Sequence, residues 1–183
     1  MRMDRFTNAA QQVLADAQQD AAGRGNPEVV GLHVLGALLK ERTGPGWAIV
    51  QRAGAEPARV AQVVQAELGR LPSASGGAGT AGRSVAELLA KADELARKMG
   101  DAYVSSEHLL LALADLAGTS KDVLGTLGLS RGKLEEAVKA IRTASGVSTI
   151  NDANAESTFE SLKKYSVDLT EKAQQGKLDP VIG

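Results

Sequence analysis

Residues 85–138 of this chain repeat the order of apolar, histidine and glycine positions found in residues 10–64, so the chain has to fold as two like units. In the second copy Val85, Leu88, Leu89, Ala92, Leu95, Ala96 and Met99 fall on one face of a helix. Seventy-five residues earlier the same places hold Ala10, Val13, Leu14, Ala17, Asp20, Ala21 and Arg24, so the stripe fades only in its last turn. Val29, His33, Val34, Leu35, Ala37 and Leu38 precede Val104, His108, Leu109, Leu110, Ala112 and Leu113 by the same interval. One residue is then deleted, after which Gly54 answers Gly128, Val60 answers Leu134 and Val64 answers Val138. Helical periodicity punctuated by repeated glycines predicts an all-α fold of two tandem four-helix repeats in one domain.

Composition narrows the function. The 183 residues carry 21 basic and 22 acidic side chains, a formal charge of −1, and therefore no field that would draw the chain to nucleic acid or anionic lipid. Five aromatics, Phe6, Trp47, Tyr103, Phe159 and Tyr165, are too few and too scattered to stack bases, which leaves Leu, Val and Ala to build the core. Cysteine is absent, which excludes disulfides and thiolate chemistry and suits a reducing cytoplasm. The longest apolar run, Leu109 to Ala114, is too short to span a bilayer.

Repeat 1 is expected at about 4–70 and repeat 2 at about 84–143, giving a domain over 1–143 followed by a small, polar linker at 144–164 that is expected to be mobile. The glycine- and serine-rich stretch Leu71–Gly82 reads as a flexible loop, and Ser84 with Glu87 as a capping box opening a helix that stops at Gly100. Gly77 to Ser84, "GAGTAGRS", approximates a phosphate-binding loop, but it follows a helix end and a proline where that motif needs a buried strand. His33 and His108 share one repeat position without clustered ligands, so packed histidines are expected and no metal site. Leu109, Leu110 and Leu111 point three ways around a helix, so at least one should leave its own unit, toward the other repeat or an exposed groove. Near the end, Asp168 and Glu171 form a capping box for a helix expected to stop near Gly176.

"MRMDRFTNAAQQVLADAQ", "VSSEHLLLAL" and above all "KYSVDLTEKAQQGKLDPVIG" resemble the amino-terminal part of the bacterial Hsp100/Clp disaggregases across the whole chain. The resemblance implies that 165–183 begins the first AAA+ module, with Val181 and Ile182 near the adenine of the intact parent. It implies a non-enzymatic domain that recruits unfolded or aggregated protein to its parent's hexameric ring. On this reading the isolated domain is a cytoplasmic monomer without a cofactor, ATP and magnesium belong to the parent, and an Hsp70-type system is a possible partner. A related alternative is the adaptor- or substrate-docking domain of a Clp protease ATPase. The positions implied for substrate binding are Thr7, Asp101 and Glu107, with an apolar groove involving Leu88, Leu89, Leu95, His108 and Leu109. By their local setting Thr7 is also a helix N-cap, Asp101 a loop acid after Gly100, and Glu107 an exposed acid in a first helical turn.

Overall fold

A computed structural model describes residues 3–156. After a 3₁₀ turn at Met3–Arg5 come α1 (Asn8–Gly23), β1 (Glu28–Val29), α2 (Gly31–Leu38), α3 (Pro45–Arg52) and α4 (Pro57–Gly69). The second half adds β2 (Thr80–Ala81), α5 (Arg83–Lys98), α6 (Ser106–Asp115), α7 (Thr119–Thr126) and α8 (Arg131–Ser145). Helices α1 and α5, and α2 and α6, start 75 residues apart; α3 and α7, and α4 and α8, start 74 apart. The single deletion therefore falls between the second and third helices, and the all-α double repeat expected from sequence is the fold observed.

Local signals set the helix ends. The Thr7 hydroxyl caps α1 by accepting the Ala10 N–H at 3.1 Å, and Ser130 does the same for α8 through the Lys133 N–H at 3.3 Å. Pro45 and Pro57 open α3 and α4, where their missing N–H groups leave no bond unmade. Gly25 and Gly100 stop the equivalent helices α1 and α5 at φ of +73° and +75°, a conformation that costs a side-chain-bearing residue about 1 kcal/mol or more. The start of α5 differs from expectation: Gly82, not Ser84, is the N-cap.

The halves hold each other by exchange. Phe6, just before α1, bridges in parallel to Val104 of the second repeat, while Ala81, just before α5, pairs in parallel with Val29 of the first. Phe6 is equivalent to Ala81 and Val29 to Val104, so each repeat is tied by its own leading residue to the other's loop. Helix packing follows the same rule. α3 packs on α8 and α7 on α4; α1 touches α6 and α5 touches α2.

At the centre α2 meets α6, and every residue from Ser106 to Ala114 is buried. Leu109, Leu110 and Leu111 are therefore all core, because α6 is surrounded by helices of its own repeat and by α1, α2 and α3 of the other. The glycine-rich segment 71–82 is pinned, contrary to its flexible composition. Ala74 N–H donates to the Gly25 carbonyl at 3.0 Å, Gly79 N–H to Asn26 at 2.9 Å and Thr80 N–H to Pro27 at 3.0 Å. Backbone meets backbone so closely that a Cβ on Gly77 would stand 2.0 Å from the Gly25 carbonyl oxygen. These glycines serve close approach rather than flexibility.

Residues 147–156 likewise lie on the body instead of leaving it mobile at 144. Small polar composition concealed this because the segment is held mainly through its backbone: Ala102 N–H and Tyr103 N–H donate to the Ile150 carbonyl at 2.9 and 3.2 Å, and Asn8 N–H to Ala153 at 2.9 Å. The expected helix at 168–176, and Val181 and Ile182, lie outside the described residues. Among the described residues no helix is long and apolar enough to cross a membrane.

Phe6 is fully buried at the first clasp, so Phe6→Ala should destabilise the fold by about 3–5 kcal/mol. Gly77→Ala should also destabilise it, by about 1–3 kcal/mol, because two backbones must separate. Urea unfolding of the two variants checks both values.

Candidate functional site

Three of the residues that resemblance assigns to substrate binding meet in one buried polar cluster where the two repeats join. Thr7, Asp101 and Glu107 are 0%, 4% and 9% exposed, so none is a surface acid or hydroxyl. Asp101, in the loop after α5, receives His108 Nε2 at 2.7 Å and Arg142 Nη2 at 2.9 Å on Oδ2, and Arg142 Nη1 at 3.1 Å and the Ile150 N–H at 2.8 Å on Oδ1. Arg142, from the last turn of α8, also donates through Nε to Glu107 Oε2 at 2.9 Å and through Nη1 to the Ser148 carbonyl at 3.2 Å. Glu156 Oε1 accepts the Thr7 hydroxyl and, at 3.1 Å, the N–H of Ser106 at the start of α6.

Electrostatics separates the acids. Burial alone would raise Asp101, but the bonds from His108, Arg142 and the Ile150 N–H outweigh it and hold its pKa at about 2. Burial pushes Glu107 up, with Arg142 opposing. It pushes Glu156 up as well, against the hydrogen bonds from Ser106 and Thr7. For Arg142, burial is outweighed by Asp101 and Glu107, and its charged form is favoured. His108 Nδ1 accepts the Ser105 N–H at 2.8 Å, which assigns the proton to Nε2, facing Asp101.

Repeat 1 has the same histidine device without the ions. His33 Nδ1 accepts the Val30 N–H at 2.9 Å and Nε2 faces Asn26 Oδ1 at 2.8 Å, with burial lowering the histidine's pKa. Both histidines are fully buried, as expected for packed rings. At the positions of Asp101, Glu107 and Arg142, repeat 1 carries Asn26, Leu32 and Leu68, and at the position of Thr7 repeat 2 carries Gly82. Among the described residues no group of acids and histidines is arranged to hold a metal ion.

A second feature is an open, mainly apolar groove between the repeats, walled by Val30, Leu32, Leu71, Leu88, Leu113 and Leu116, with Ser84, Thr119 and Ser120 also lining it. Of the leucines expected to shape a groove, only Leu88 lines it; Leu89 is half-buried against the core, while Leu95 and Leu109 are core at 2% and 0% exposure. His108 lies in the polar cluster instead. Sequence reading passed over Leu71 as a groove wall, and Arg142 and Glu156 as cluster members. Arg142 did leave a signal, since it interrupts the apolar stripe Leu134, Val138, Ile141 where repeat 1 has Leu68.

Glu107 is not the lightly held surface acid its first-turn position suggested. Arg142→Leu should cost about 3–5 kcal/mol by leaving Asp101 and Glu107 buried without their cation. Installing the residues of repeat 1 together, Asp101→Asn, Glu107→Leu and Arg142→Leu, should recover most of that loss, as measured by urea unfolding. The sign for Asp101 follows from its depressed pKa: its stabilisation is present above its ordinary 3.8 and lost as pH falls through about 2. Acid titration of wild type against the triple variant should show that step only in wild type.

The family model for the Clp repeat (R) N-terminal domain matches residues 5–127, about two thirds of the chain. The chaperone protein ClpB of Rhodopirellula baltica is 39% identical over 183 residues, covering all of this chain and 20% of that protein. ClpB of Pseudomonas putida is 39% identical over 185 residues, covering all of this chain and 21% of its own length. The chain thus spans about one fifth of these relatives. In fold it is similar to the Hsp104 N-terminal domain of Candida albicans, with a TM-score of 0.71 at 24% identity over 82% of this chain and 98% of that one. It is also similar to the ClpV N-domain of Vibrio cholerae, with a TM-score of 0.64 at 21% identity over 77% of this chain and 87% of that one. The duplicated helices, the reciprocal clasp and the matched family model together place the chain in the Clp repeat N-terminal domain family.

Proposed function

We propose that this chain is the recruiting domain of an ATP-dependent chaperone, binding unfolded or aggregated polypeptide and delivering it to its own AAA+ ring. The observation that carries the reading is the open, mainly apolar groove between the repeats, whose walls are chiefly aliphatic side chains. Such a surface suits apolar segments of many sequences. The similarity to chaperone proteins named ClpB over the whole chain supports the same reading. ATP and magnesium would serve the ring, near Val181 and Ile182, and an Hsp70-type system in the cytoplasm would be the natural co-chaperone.

On this reading the half-buried Val30, Leu71 and Leu116 make the contact over a floor of buried Leu88 and Leu113, while Thr7, Asp101, Glu107 and His108 act from within by fixing the start of α6 and the loop before it. The groove is shallow and offers few desolvated anchors, so a single domain binds weakly and a ring of six gains from avidity.

Leu71 and Leu116 are half-buried rather than core, so replacing them by serine tests the groove with little damage to the fold. Leu71→Ser and Leu116→Ser should each weaken binding of an alkylated, permanently unfolded protein by about three- to tenfold in fluorescence anisotropy, with the helical circular dichroism retained. Unchanged affinity in both variants overturns the groove as the recruiting surface. The chain alone should show no saturable ATP binding in calorimetry, because its 183 residues carry no complete phosphate-binding loop.

A further inference from the structure

Residues 147–156 cross the junction of the repeats as a strap fastened at each end by the buried polar cluster. At the near end the Ser148 carbonyl takes Arg142, and Ile150 joins the loop of Asp101, Ala102 and Tyr103. At the far end the Ala153 carbonyl and Asn154 meet Asn8, at 2.9 and 2.5 Å, and Glu156 enters the protein. Its one bonded oxygen reaches both repeats, taking Thr7 from the first and the Ser106 N–H from the second.

Glu156 is 3% exposed, and its Oε2 has no hydrogen-bond partner among the described residues. The groups around it make a charged Glu156 costly. From α6 it faces Glu107, a second buried carboxylate, and His108, whose Nδ1 accepts a backbone N–H and whose Nε2 is turned to Asp101. Behind these stand Asp101 from the loop after α5 and Arg142 from α8. The donors of Arg142 are already committed to Asp101, Glu107 and Ser148. Three carboxylates share one guanidinium. The uncommitted oxygen belongs to the carboxylate carried by the strap, and one proton there removes the worst of the repulsion.

The strap also walls a narrow, mainly apolar cleft beside Glu107, Arg142 and Glu156, in which its Val147, Ile150 and Ala155 face Ile49 of α3 and Val138 and Ile141 of α8. Only repeat 2 has the ionic fittings for such a fastening. Repeat 1 places Asn26, Leu32 and Leu68 where repeat 2 uses Asp101, Glu107 and Arg142, and repeat 2 has Gly82 where repeat 1 supplies Thr7.

We propose that residues 147–156 are a releasable strap bolted by Glu156, closed while that side chain holds a proton and loosened when it loses it. Release frees the path by which the chain runs on past Glu156 and uncovers the aliphatic faces of α3 and α8. Burial raises the docked carboxyl above its ordinary range, whereas the undocked one titrates normally. The sign follows: the docked state binds the proton more tightly, so docking is fully favoured below the free carboxyl's pKa and weakens as pH climbs through the docked one.

The test is residue-resolved hydrogen exchange of the 183-residue chain between pH 5 and pH 8, each rate normalised to the intrinsic rate at that pH. The Asn8, Ala102 and Tyr103 amides donate to the strap and the Ile150 amide donates from it to Asp101, and Val60 and Val64 of α4 serve as controls for the whole fold. Protection of the four strap amides should fall by about tenfold across this range while the controls hold. Glu156→Gln, an uncharged isostere that keeps the accepting oxygen, should stay protected throughout. Strap protection that is flat with pH in wild type overturns the proposal. So does a Glu156→Gln variant that keeps the wild-type pH dependence or is unprotected at every pH. Loss of control protection together with the strap overturns it too, because the segment would then be part of the global fold.

Discussion

Everything in this domain depends on the reciprocal pairing of two short extended segments, Phe6 with Val104 and Val29 with Ala81. A four-helix repeat of this length, rich in alanine and poor in aromatics, buries a smaller share of its surface alone than the joined pair does. Exchanging the leading residue of each repeat into the loop of the other brings α2 and α6 together and turns two small cores into one. The helix contacts that follow are reciprocal as well, α3 with α8 and α7 with α4, so the pseudo-twofold relation extends from backbone hydrogen bonds to side-chain packing.

Within that symmetry the halves have diverged in charge while keeping geometry. The pair joining the first helix to the end of the second is Asp16 with Lys40 at 4.0 Å in repeat 1 and Lys91 with Asp115 at 2.9 Å in repeat 2, the same positions with reversed sign. Such partly exposed pairs are worth at most about 1 kcal/mol, and either polarity serves. The buried difference is larger in consequence. In repeat 1 His33 meets the uncharged Asn26, and Leu32 and Leu68 stand at the positions of Glu107 and Arg142, whereas Asp101, Glu107 and Arg142 make an ionic junction beside His108. Apolar replacement of a buried ion cluster is commonly neutral for stability, so the ions of repeat 2 are better understood by what they hold, which is the strap that follows α8.

This division separates two surfaces that a reading of residue types had merged. The acids and hydroxyl associated by resemblance with binding lie inside, while the aliphatic groove lies outside, between α2, α5 and the loop from α6 to α7. The two share α6. Ser105, Ser106, Glu107 and His108 at its start belong to the polar cluster, and Leu113 and Leu116 at its end border the groove, so the cluster sets the helix from which the groove is built.

The sequence by itself determined the helices, their duplication and the place of the deletion, because apolar period, proline starts and glycine stops are local and were written twice. It also determined that the histidines pack, since equivalent rings without neighbouring ligands have little else to do. Tertiary structure alone decided that the glycine-rich segment 71–82 is pinned and that residues 147–156 are strapped down, because both are held by backbone groups whose partners lie far away in sequence. It alone decided that Glu107 is buried: one turn of helix cannot show that Arg142, thirty-five residues on, will close over it. Nor could local sequence reveal the bolt. Glu156 stands in an unremarkable polar stretch, and its setting exists only once Thr7 of one repeat and Ser106 of the other have been brought to the same point.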